Sequence, residues 1–225
     1  MISKGLLITF EGGEATGKSF QARRLLNHLK IRGHETRLLA EPGGTQLGLR
    51  IRRHVKFTQA NITPEAELFL FLASRAQLFK EVIKPALIRN EIVICDRYSD
   101  STLAYQGYGR QLDTANIKKF NDFAVEKHSP HLKILLDMAV TEARKRRSMH
   151  STDRFEQESF ESSTGVQFHK RVREGYLNLA YDDPSRWLII DATLPRSVIS
   201  KMIIERVLPM ITKFNPRSAR MELNP

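Results

Sequence analysis

One eight-residue segment near the N-terminus constrains the fold of this 225-residue chain more than any other feature. It reads Gly12-Gly13-Glu14-Ala15-Thr16-Gly17-Lys18-Ser19 and fits the pattern G-x-x-x-x-G-K-[ST]. An apolar run at residues 5–11 precedes it, and a helix-compatible segment at residues 20–31 follows it. Glycines let backbone N–H groups and the start of a helix approach phosphate oxygens closely. The pattern therefore predicts a strand, a phosphate-binding loop and a helix, in that order.

The rest of the chain alternates strand-like and helix-like segments. Further apolar runs of strand length lie at residues 36–40, 92–96, 133–137 and 187–191. Their nearly continuous apolar character is typical of parallel strands covered on both faces. Between them, Thr63-Pro64-Glu65 supplies an N-cap hydroxyl, a first-position proline and a first-turn acid for a helix. The alternation predicts an α/β three-layer sandwich, with a five-stranded parallel sheet flanked by helices.

The bulk composition fits an ordinary globular domain, with 41% hydrophobic and 27% charged residues. We expect a single domain over residues 1–212, with a small lid at about residues 142–157 and a tail at residues 213–225. Cys95 is the only cysteine, which excludes an intramolecular disulfide framework and favours a reducing compartment. Because no apolar run approaches membrane-spanning length, we expect a cytoplasmic protein without a membrane partner.

The formal net charge of +11 is the unusual bulk property. It suits either a nucleic-acid partner or a site for small polyphosphates on a solvated basic surface. Since basic residues occur along most of the chain, we expect no stable nucleic-acid partner. The densest run, Arg144-Lys145-Arg146-Arg147, is compatible with a solvated helix face, a nucleic-acid patch or a catalytic cation.

Two charged residues follow the strand predicted at residues 92–96. Asp96 and Arg97 lie at its carboxyl end, the edge at which ligands bind in open α/β sheets. A carboxylate there can hold Mg²⁺ together with the Ser19 hydroxyl, while Lys18 reaches the β- and γ-phosphates. An arginine there can clamp a second phosphate through two parallel hydrogen bonds. A surface Asp–Arg pair remains the alternative interpretation.

Five segments together resemble bacterial thymidylate kinases, a family of P-loop nucleoside monophosphate kinases. They cover roughly residues 5–204 in the family's order. The segments are FEGGEATGKS at residues 10–19, EPGGT at 41–45, FLASR at 71–75, DRYSDSTLAYQGYGR at 96–110 and DRFE at 153–156.

The resemblance implies phosphoryl transfer from ATP, with Mg²⁺, to dTMP. On the donor side it implies that the whole loop from Gly12 to Ser19 binds ATP, and that Asp191 belongs to a loop beside the adenine. It further implies that the lid supplies a transition-state arginine, since the phosphate loop contains none, and Arg147 and Arg154 are the candidates. Lys18 and Arg97 complete the expected catalytic set, and the family implies a homodimer.

On the acceptor side the resemblance implies that Arg97 binds the dTMP phosphate and Asp96 lies close to the metal. Phe71 and Arg75 would hold the base by stacking and by donation to O4, because their i, i+4 spacing puts them on one helix face. Further residues implied to contact dTMP are Glu14 at the 3′-hydroxyl, Tyr105 near the 2′ position, and Thr102 and Gln106 at the base. The proline after the second strand, Pro42, is often preceded by a cis peptide.

Two other functions compete with this interpretation. One is a P-loop kinase for another pyrimidine nucleotide or nucleoside, such as UMP or thymidine. The other is a basic P-loop nucleotide switch that binds nucleic acid, which accounts for the net charge of +11 but leaves the acceptor-side residues unexplained.

Overall fold

A computed structural model of the chain describes residues 5–57, 61–146 and 162–214. Five parallel strands form one sheet in the order β2-β3-β1-β4-β5. The strands are β1 (Leu6–Glu11), β2 (Thr36–Ala40), β3 (Ile92–Asp96), β4 (Leu132–Asp137) and β5 (Trp187–Asp191). The predicted five-stranded parallel sheet is therefore confirmed, and the strand bounds differ from the predicted ones by at most one residue.

Helices cover both faces of the sheet. They are α1 (Lys18–Ile31), α2 (Gln46–Phe57), α3 (Pro64–Leu78), α4 (Lys84–Ile88), α5 (Ser99–Thr102), α6 (Thr114–Ala124), α7 (Val140–Arg146), α8 (Ser163–Asp182) and α9 (Arg196–Phe214). Two π-helical segments, Phe79–Ile83 and Leu103–Gly109, join α3 to α4 and continue α5. Within the ranges that the structure describes, no helix has the length and apolar character needed to cross a bilayer.

The central strand β1 shows why the apolar runs are continuous. Leu6, Ile8 and Phe10 pack on one face in a cluster with residues of α1 and α9. Leu7 packs on the opposite face, in a cluster with residues of α3, α4 and α6. A third cluster joins Leu135 of β4 to α8 and to the second π-helical segment. Burial on both faces confirms the three-layer arrangement.

The helix expected after Thr63 begins as predicted. The Thr63 side chain accepts a hydrogen bond from the Ala66 amide, and Pro64 occupies the first turn. The helical path continues through the π-helical segment Phe79–Ile83 into α4, which contains Pro85. A proline removes a backbone donor, and a one-residue expansion of the helix is one way to accommodate it.

Several expectations concern residues beyond the described ranges. The lid expected at residues 142–157 is described only as far as Arg146, the last residue of α7. The tail expected at residues 213–225 is described to residue 214, where α9 ends. The domain limits therefore remain predictions.

Candidate active site

A cavity of about 620 Å³ opens at the carboxyl ends of the strands, beside the phosphate-binding loop. Six basic and three acidic side chains line it, so the cavity has an excess of positive charge that suits phosphorylated ligands. The lining includes most of the residues proposed from the sequence: Glu14, Ala15, Thr16, Gly17, Lys18, Ser19, Phe71, Arg75, Asp96, Arg97, Thr102, Tyr105 and Gln106.

The loop between β1 and α1 has the backbone shape that its glycines predict. Gly12 and Gly17 have φ angles of 135° and 88°, and Gly17 is the N-cap of α1. Ala15 has a φ of 58°, so a non-glycine residue also takes a left-handed conformation here. The first turn of α1 opens onto the cavity, where its unpaired N–H groups and positive dipole end favour a phosphate.

The Lys18 side chain lies folded within the loop. Its Nζ donates to the Gly13 carbonyl oxygen at 2.5 Å and to the Thr16 hydroxyl at 3.3 Å. Burial, followed by repulsion from Arg97, lowers the pKa of Lys18 to about 8, although Glu14 and other acids oppose the shift. An anionic phosphate near this ammonium group would favour the charged form again.

Ser19 and Asp96 meet at the metal position that the sequence predicts. The Ser19 hydroxyl, at the start of α1, donates a hydrogen bond to Oδ2 of Asp96, at the end of β3. A hydroxyl and a carboxylate are hard oxygen donors, and Mg²⁺ in phosphoryl-transfer sites uses few protein ligands together with substrate phosphates and water. The chemistry and the proximity of the two side chains therefore fit Mg²⁺.

Arg97 links the two halves of the site. Its φ of 71° turns the chain sharply after β3 and directs the guanidinium back towards the phosphate loop. The Nη1 group donates to the Gly12 carbonyl at 3.0 Å and to the Tyr176 hydroxyl at 3.2 Å. The Nη2 group donates to Glu14 at 2.6 Å and to the Tyr105 hydroxyl at 2.9 Å. The guanidinium is thus fixed in the same cavity as Lys18.

Glu14 is an acid inside a loop built for anions, and its environment explains how it is tolerated. Burial alone would raise its pKa, but Arg97, Lys18 and a hydrogen bond from Tyr105 outweigh burial and lower the pKa to about 2. The Tyr105 hydroxyl donates to Glu14 Oε1 at 2.7 Å. The ring of Tyr105 packs edge-on against Phe168 and Tyr176 of α8, which holds the hydroxyl in place.

Phe71 and Arg75 both line the cavity from one face of α3, as their spacing implies. Phe71 is half-buried, whereas Arg75 is only 1% exposed. The Arg75 guanidinium donates to Glu41 at 2.8 Å, Thr102 at 2.6 Å and Asn121 at 2.7 Å. It also donates to the Tyr98 carbonyl at 3.0 Å. Its Nη2 group also lies 2.6 Å from Glu41 Oε2, so all five N–H donors of the guanidinium have a partner. A direct bond from Arg75 to a base would therefore require one of these bonds to be exchanged.

Thr102 and Gln106 form part of the same wall, and the π-helical segment Leu103–Gly109 carries Gln106 and Tyr105 into the cavity together. Both Thr102 and Gln106 are buried, at 1% and 2% exposure. The Gln106 amide nitrogen donates to Glu67 of α3 at 2.8 Å. Gln106 is therefore held by a partner outside the cavity, whereas Thr102 accepts its hydrogen bond from Arg75, which lines the cavity.

Asp191 does not line the main cavity. It ends β5, is exposed, and its carboxylate accepts hydrogen bonds at 2.7 Å from both the backbone amide and the hydroxyl of Thr193. These bonds lower the pKa of Asp191. Arg146, at the end of α7, donates to the Ala192 carbonyl at 2.7 Å. Asp191 thus shapes the loop that follows β5 through the turn that it forms with Thr193.

The proposed lid arginines, Arg147 and Arg154, lie outside the described residues.

Some residues of the site were missed by sequence reasoning. The Glu41–Pro42 peptide is cis, as the resemblance implied. Arg52 of α2 lines the cavity together with Lys56, and it donates a hydrogen bond to the Pro42 carbonyl at 3.1 Å. Its presence in a basic run gave no reason to prefer it to its neighbours. Glu11 lies beneath the cavity, and only its position at the end of the first strand could have drawn attention to it.

The parallel sheet, the glycine loop after its first strand and the basic cavity define a P-loop nucleotide-binding protein of the α/β class. A sequence model of one family within this class, described as thymidylate kinase, matches residues 10–203. The chain belongs to the thymidylate kinase family, and it is an enzyme of the phosphotransferase type.

Individual relatives agree with the family assignment. The thymidylate kinase of Dehalococcoides mccartyi is 49% identical over 203 residues, which cover 90% of this chain and 95% of that protein. The thymidylate kinase of Deinococcus radiodurans is 42% identical, with coverage of 90% and 96%. The crystal structure of thymidylate kinase from Ehrlichia chaffeensis is 30% identical, has a TM-score of 0.73, and is matched over 90% of this chain and 98% of that one.

Proposed function

We propose that this chain transfers the γ-phosphoryl group of ATP to dTMP, giving ADP and dTDP. The observation that carries the proposal is the position of Arg97. Its guanidinium lies 3.0 Å from the Gly12 carbonyl of the phosphate loop and shares the cavity with Lys18. A phosphate bound by Arg97 would therefore lie next to a phosphate bound by the loop, as direct transfer requires.

The chemistry needs little covalent participation from the protein. An oxygen of the dTMP phosphate attacks the γ-phosphorus, the bond from that phosphorus to the β–γ bridging oxygen breaks, and ADP leaves with the electron pair. The acceptor phosphate is already anionic near neutral pH, so no strong general base is needed. Lys18 and the loop amides would hold the donor phosphates, while Arg97, assisted by Arg52 and Lys56, would hold the acceptor phosphate.

Mg²⁺ would be held by Ser19 and Asp96. When bound, it would neutralise charge on the β- and γ-phosphate oxygens. The protein's own part is to place the two ligands. Asp96 is fixed by the end of β3, whose backbone accepts a bond from the Glu41 amide at 3.0 Å, and Ser19 by the first turn of α1.

On the nucleoside side, Phe71 offers a ring for stacking against thymine, and Thr102, Gln106 and Arg75 form the polar wall beside it. In this proposal Tyr105 and Glu14, which line the same cavity, contact the sugar. The bond between the Tyr105 hydroxyl and Glu14, at 2.7 Å, closes that part of the cavity and would disfavour a 2′-hydroxyl. This arrangement favours a deoxy-pyrimidine monophosphate over the alternative acceptors. The nucleic-acid switch is not favoured, because it gives these residues no role.

A second copy of this chain is the proposed partner. The family resemblance implies a homodimer, and α2, α3 and α6 carry several exposed apolar side chains. The rings of Phe69 and Phe120 lie 5.9 Å apart at 56% and 41% exposure, and Phe123 is 89% exposed. Exposed apolar side chains on neighbouring helices favour association. We also propose a cytoplasmic location, where ATP is available.

Two substitutions test the assignment of donor and acceptor roles. Lys18→Ala should lower kcat by about 10²–10³-fold, because it removes a cation from the transferring phosphates. Arg97→Lys keeps the charge but loses the two-pronged donor geometry, so KM for dTMP should rise about tenfold and by more than KM for ATP. Steady-state kinetics with each substrate varied would measure both. Near-normal turnover by Lys18→Ala, or equal effects of Arg97→Lys on both KM values, would contradict these roles.

A further inference from the structure

A buried carboxylate lies directly behind the wall of the acceptor cavity. Glu67 of α3 has no exposed surface and does not line the cavity. Its Oε1 accepts hydrogen bonds from Gln106 Nε2 at 2.8 Å and from Arg110 Nε at 3.3 Å. Its Oε2 accepts from Arg110 Nη2 at 3.1 Å. The established and proposed steps of the reaction give this group no role.

The three side chains form a rigid unit. The Arg110 guanidinium lies over the ring of Phe168 of α8, 4.8 Å from its centroid, and its fork holds the Glu67 carboxylate. Arg110 follows the π-helical segment that carries Gln106, so the cation, the carboxylate and the amide are fixed relative to one another. Gln106 is only 2% exposed and lines the cavity.

The polarity of this unit determines which end of the Gln106 amide faces the cavity. An ionised carboxylate can only accept hydrogen bonds, so Glu67 binds the NH₂ end of the amide and rejects the oxygen end. Arg110, whose groups can only donate, neutralises the carboxylate and offers no acceptor to compete for it. The amide oxygen is therefore turned away from Glu67, and a reversal of the amide would place two acceptors against each other in a buried site.

We propose that Glu67 is a positioning residue for base selection: it fixes Gln106 so that the amide oxygen accepts the N3–H group of a thymine or uracil base. This inference rests on the proposed function. Cytosine has an acceptor at N3, so the fixed oxygen would oppose it and leave two buried acceptors unpaired. A site built to receive a particular hydrogen-bonding group discriminates strongly against an analogue that lacks it.

The test is the ratio of kcat/KM for dTMP to that for dCMP, measured in the wild-type protein and in Glu67→Gln. A glutamine at position 67 can donate as well as accept, so the Gln106 amide can turn over. We expect the dTMP:dCMP ratio of kcat/KM values to fall about tenfold or more, because the substitution affects one buried hydrogen bond. The dTMP:dUMP ratio should stay unchanged, because the two bases share the same N3–H group. Glu65→Gln, an exposed position on the same helix, is the matched control and should change neither ratio.

A double-mutant cycle tests whether Glu67 acts through Gln106. In a Gln106→Leu background, Glu67→Gln should have no further effect on the dTMP:dCMP ratio, because the amide that it positions is gone. Thermal melting of each variant checks folding. If Glu67→Gln melts below the assay temperature, the same cycle is run with Glu67→Asp, which keeps the charge but withdraws the carboxylate from Gln106, and the same loss of selectivity is expected.

Three results would overturn the inference: an equal fall in kcat/KM for all three nucleotides, an unchanged dTMP:dCMP ratio, or a selectivity effect that persists without Gln106. Each of these leaves dTMP turnover by the wild-type protein intact, so the proposed function would survive. Absence of dTMP turnover by the wild-type protein would instead remove the proposed function itself, and the inference with it.

Discussion

Glu11 shows how one residue beneath the site can link its chemistry to stability. It ends β1 and has no exposed surface. Its carboxylate accepts hydrogen bonds from the Tyr98 amide at 2.9 Å, the Ser101 hydroxyl at 2.6 Å and the Tyr176 hydroxyl at 3.2 Å. Tyr176 in turn contacts Arg97, so Glu11 supports the acceptor arginine indirectly. Burial and the nearby Asp100 raise the pKa of Glu11 from 4.5 to about 7, against the opposing effect of Ser101 and nearby cations.

The raised pKa predicts that Glu11 lowers the free energy of unfolding as its carboxyl group ionises with rising pH. Between pH 4.5 and about 7 the folded protein binds a proton at Glu11 more tightly than the unfolded chain does. The Glu11 contribution to the free energy of unfolding therefore falls as pH rises through that window. A glutamine side chain does not titrate, so Glu11→Gln should gain stability relative to the wild-type protein from pH 5 to pH 8, by at most ~3 kcal/mol.

Denaturant unfolding at several pH values would measure this difference. The penalty of replacing a hydrogen-bond acceptor is independent of pH, so the slope rather than the absolute value carries the prediction. Glu65→Gln, at an exposed position, should show no such slope. A stability difference between Glu11→Gln and the wild-type protein that is flat from pH 5 to pH 8 would show that Glu11 ionises normally.

At the residue scale, the sequence predicts which side chains meet but not what holds them. The motif and the resemblance bring Lys18, Glu14 and Arg97 to one cavity, and the structure does place them together. The partners of Arg75 could not be predicted, because Glu41 and Asn121 come from distant parts of the chain. Their meeting depends on how α3 packs against β2 and α6, which no local pattern contains.

At the scale of elements, the phosphate loop depends on a close approach between Gly12 and strand β4. Gly12 has a φ of 135°, and a Cβ atom there would lie 2.4 Å from the Leu136 carbonyl oxygen of β4. Gly13, the next residue, has open space around the position of a Cβ atom. Gly12 and Gly13 therefore have different structural requirements, although both belong to the same motif.

This difference predicts unequal effects of alanine at the two positions. Gly12→Ala combines a strained backbone conformation with a steric clash against backbone, and should lower the free energy of unfolding by about 2 kcal/mol or more. Gly13→Ala meets neither problem and should stay within about 0.5 kcal/mol of the wild-type protein. Urea denaturation of both variants would measure this. Equal destabilisation by the two substitutions would show that the loop is not held against β4 as described.

The sequence predicts the regular elements well and the irregular ones poorly. Continuous apolar runs identify all five strands, and the Thr63 cap locates the start of α3. The π-helical segment Leu103–Gly109 has no such signal, because an expanded turn depends on how Gly109 and α8 approach each other. A Cβ atom at Gly109 would lie 2.6 Å from the Phe168 ring, so this contact is set by tertiary packing.

At the scale of the whole molecule, the apolar surface of α3 and α6 predicts self-association. Phe69→Glu would place a charge beside Phe120, within the proposed contact between two copies. We expect the wild-type protein to sediment at twice the chain mass of 25.9 kDa and Phe69→Glu to sediment at the chain mass. Tyr181→Glu, at a 68% exposed aromatic residue on α8, is the control and should remain dimeric.

The oligomeric state can be measured by sedimentation equilibrium at several protein concentrations. A wild-type protein that sediments at the mass of one chain would contradict the homodimer proposal. A dimer that Phe69→Glu leaves unchanged would place the contact on another surface. Neither outcome bears on the roles proposed for the residues of the cavity.

The central claim is that the cavity selects dTMP as the acceptor of a phosphoryl group from ATP. The most direct measurement is ADP formation with ATP and Mg²⁺ across dTMP, dUMP, UMP, dCMP, thymidine and water as acceptors. We predict turnover that is fastest with dTMP, with the 5′-phosphate required and a 2′-hydroxyl disfavoured. Preference for dCMP would contradict the role assigned to Gln106, and preference for UMP would contradict the role assigned to Tyr105. ADP formation with water alone, indifferent to any acceptor, would contradict the kinase mechanism itself.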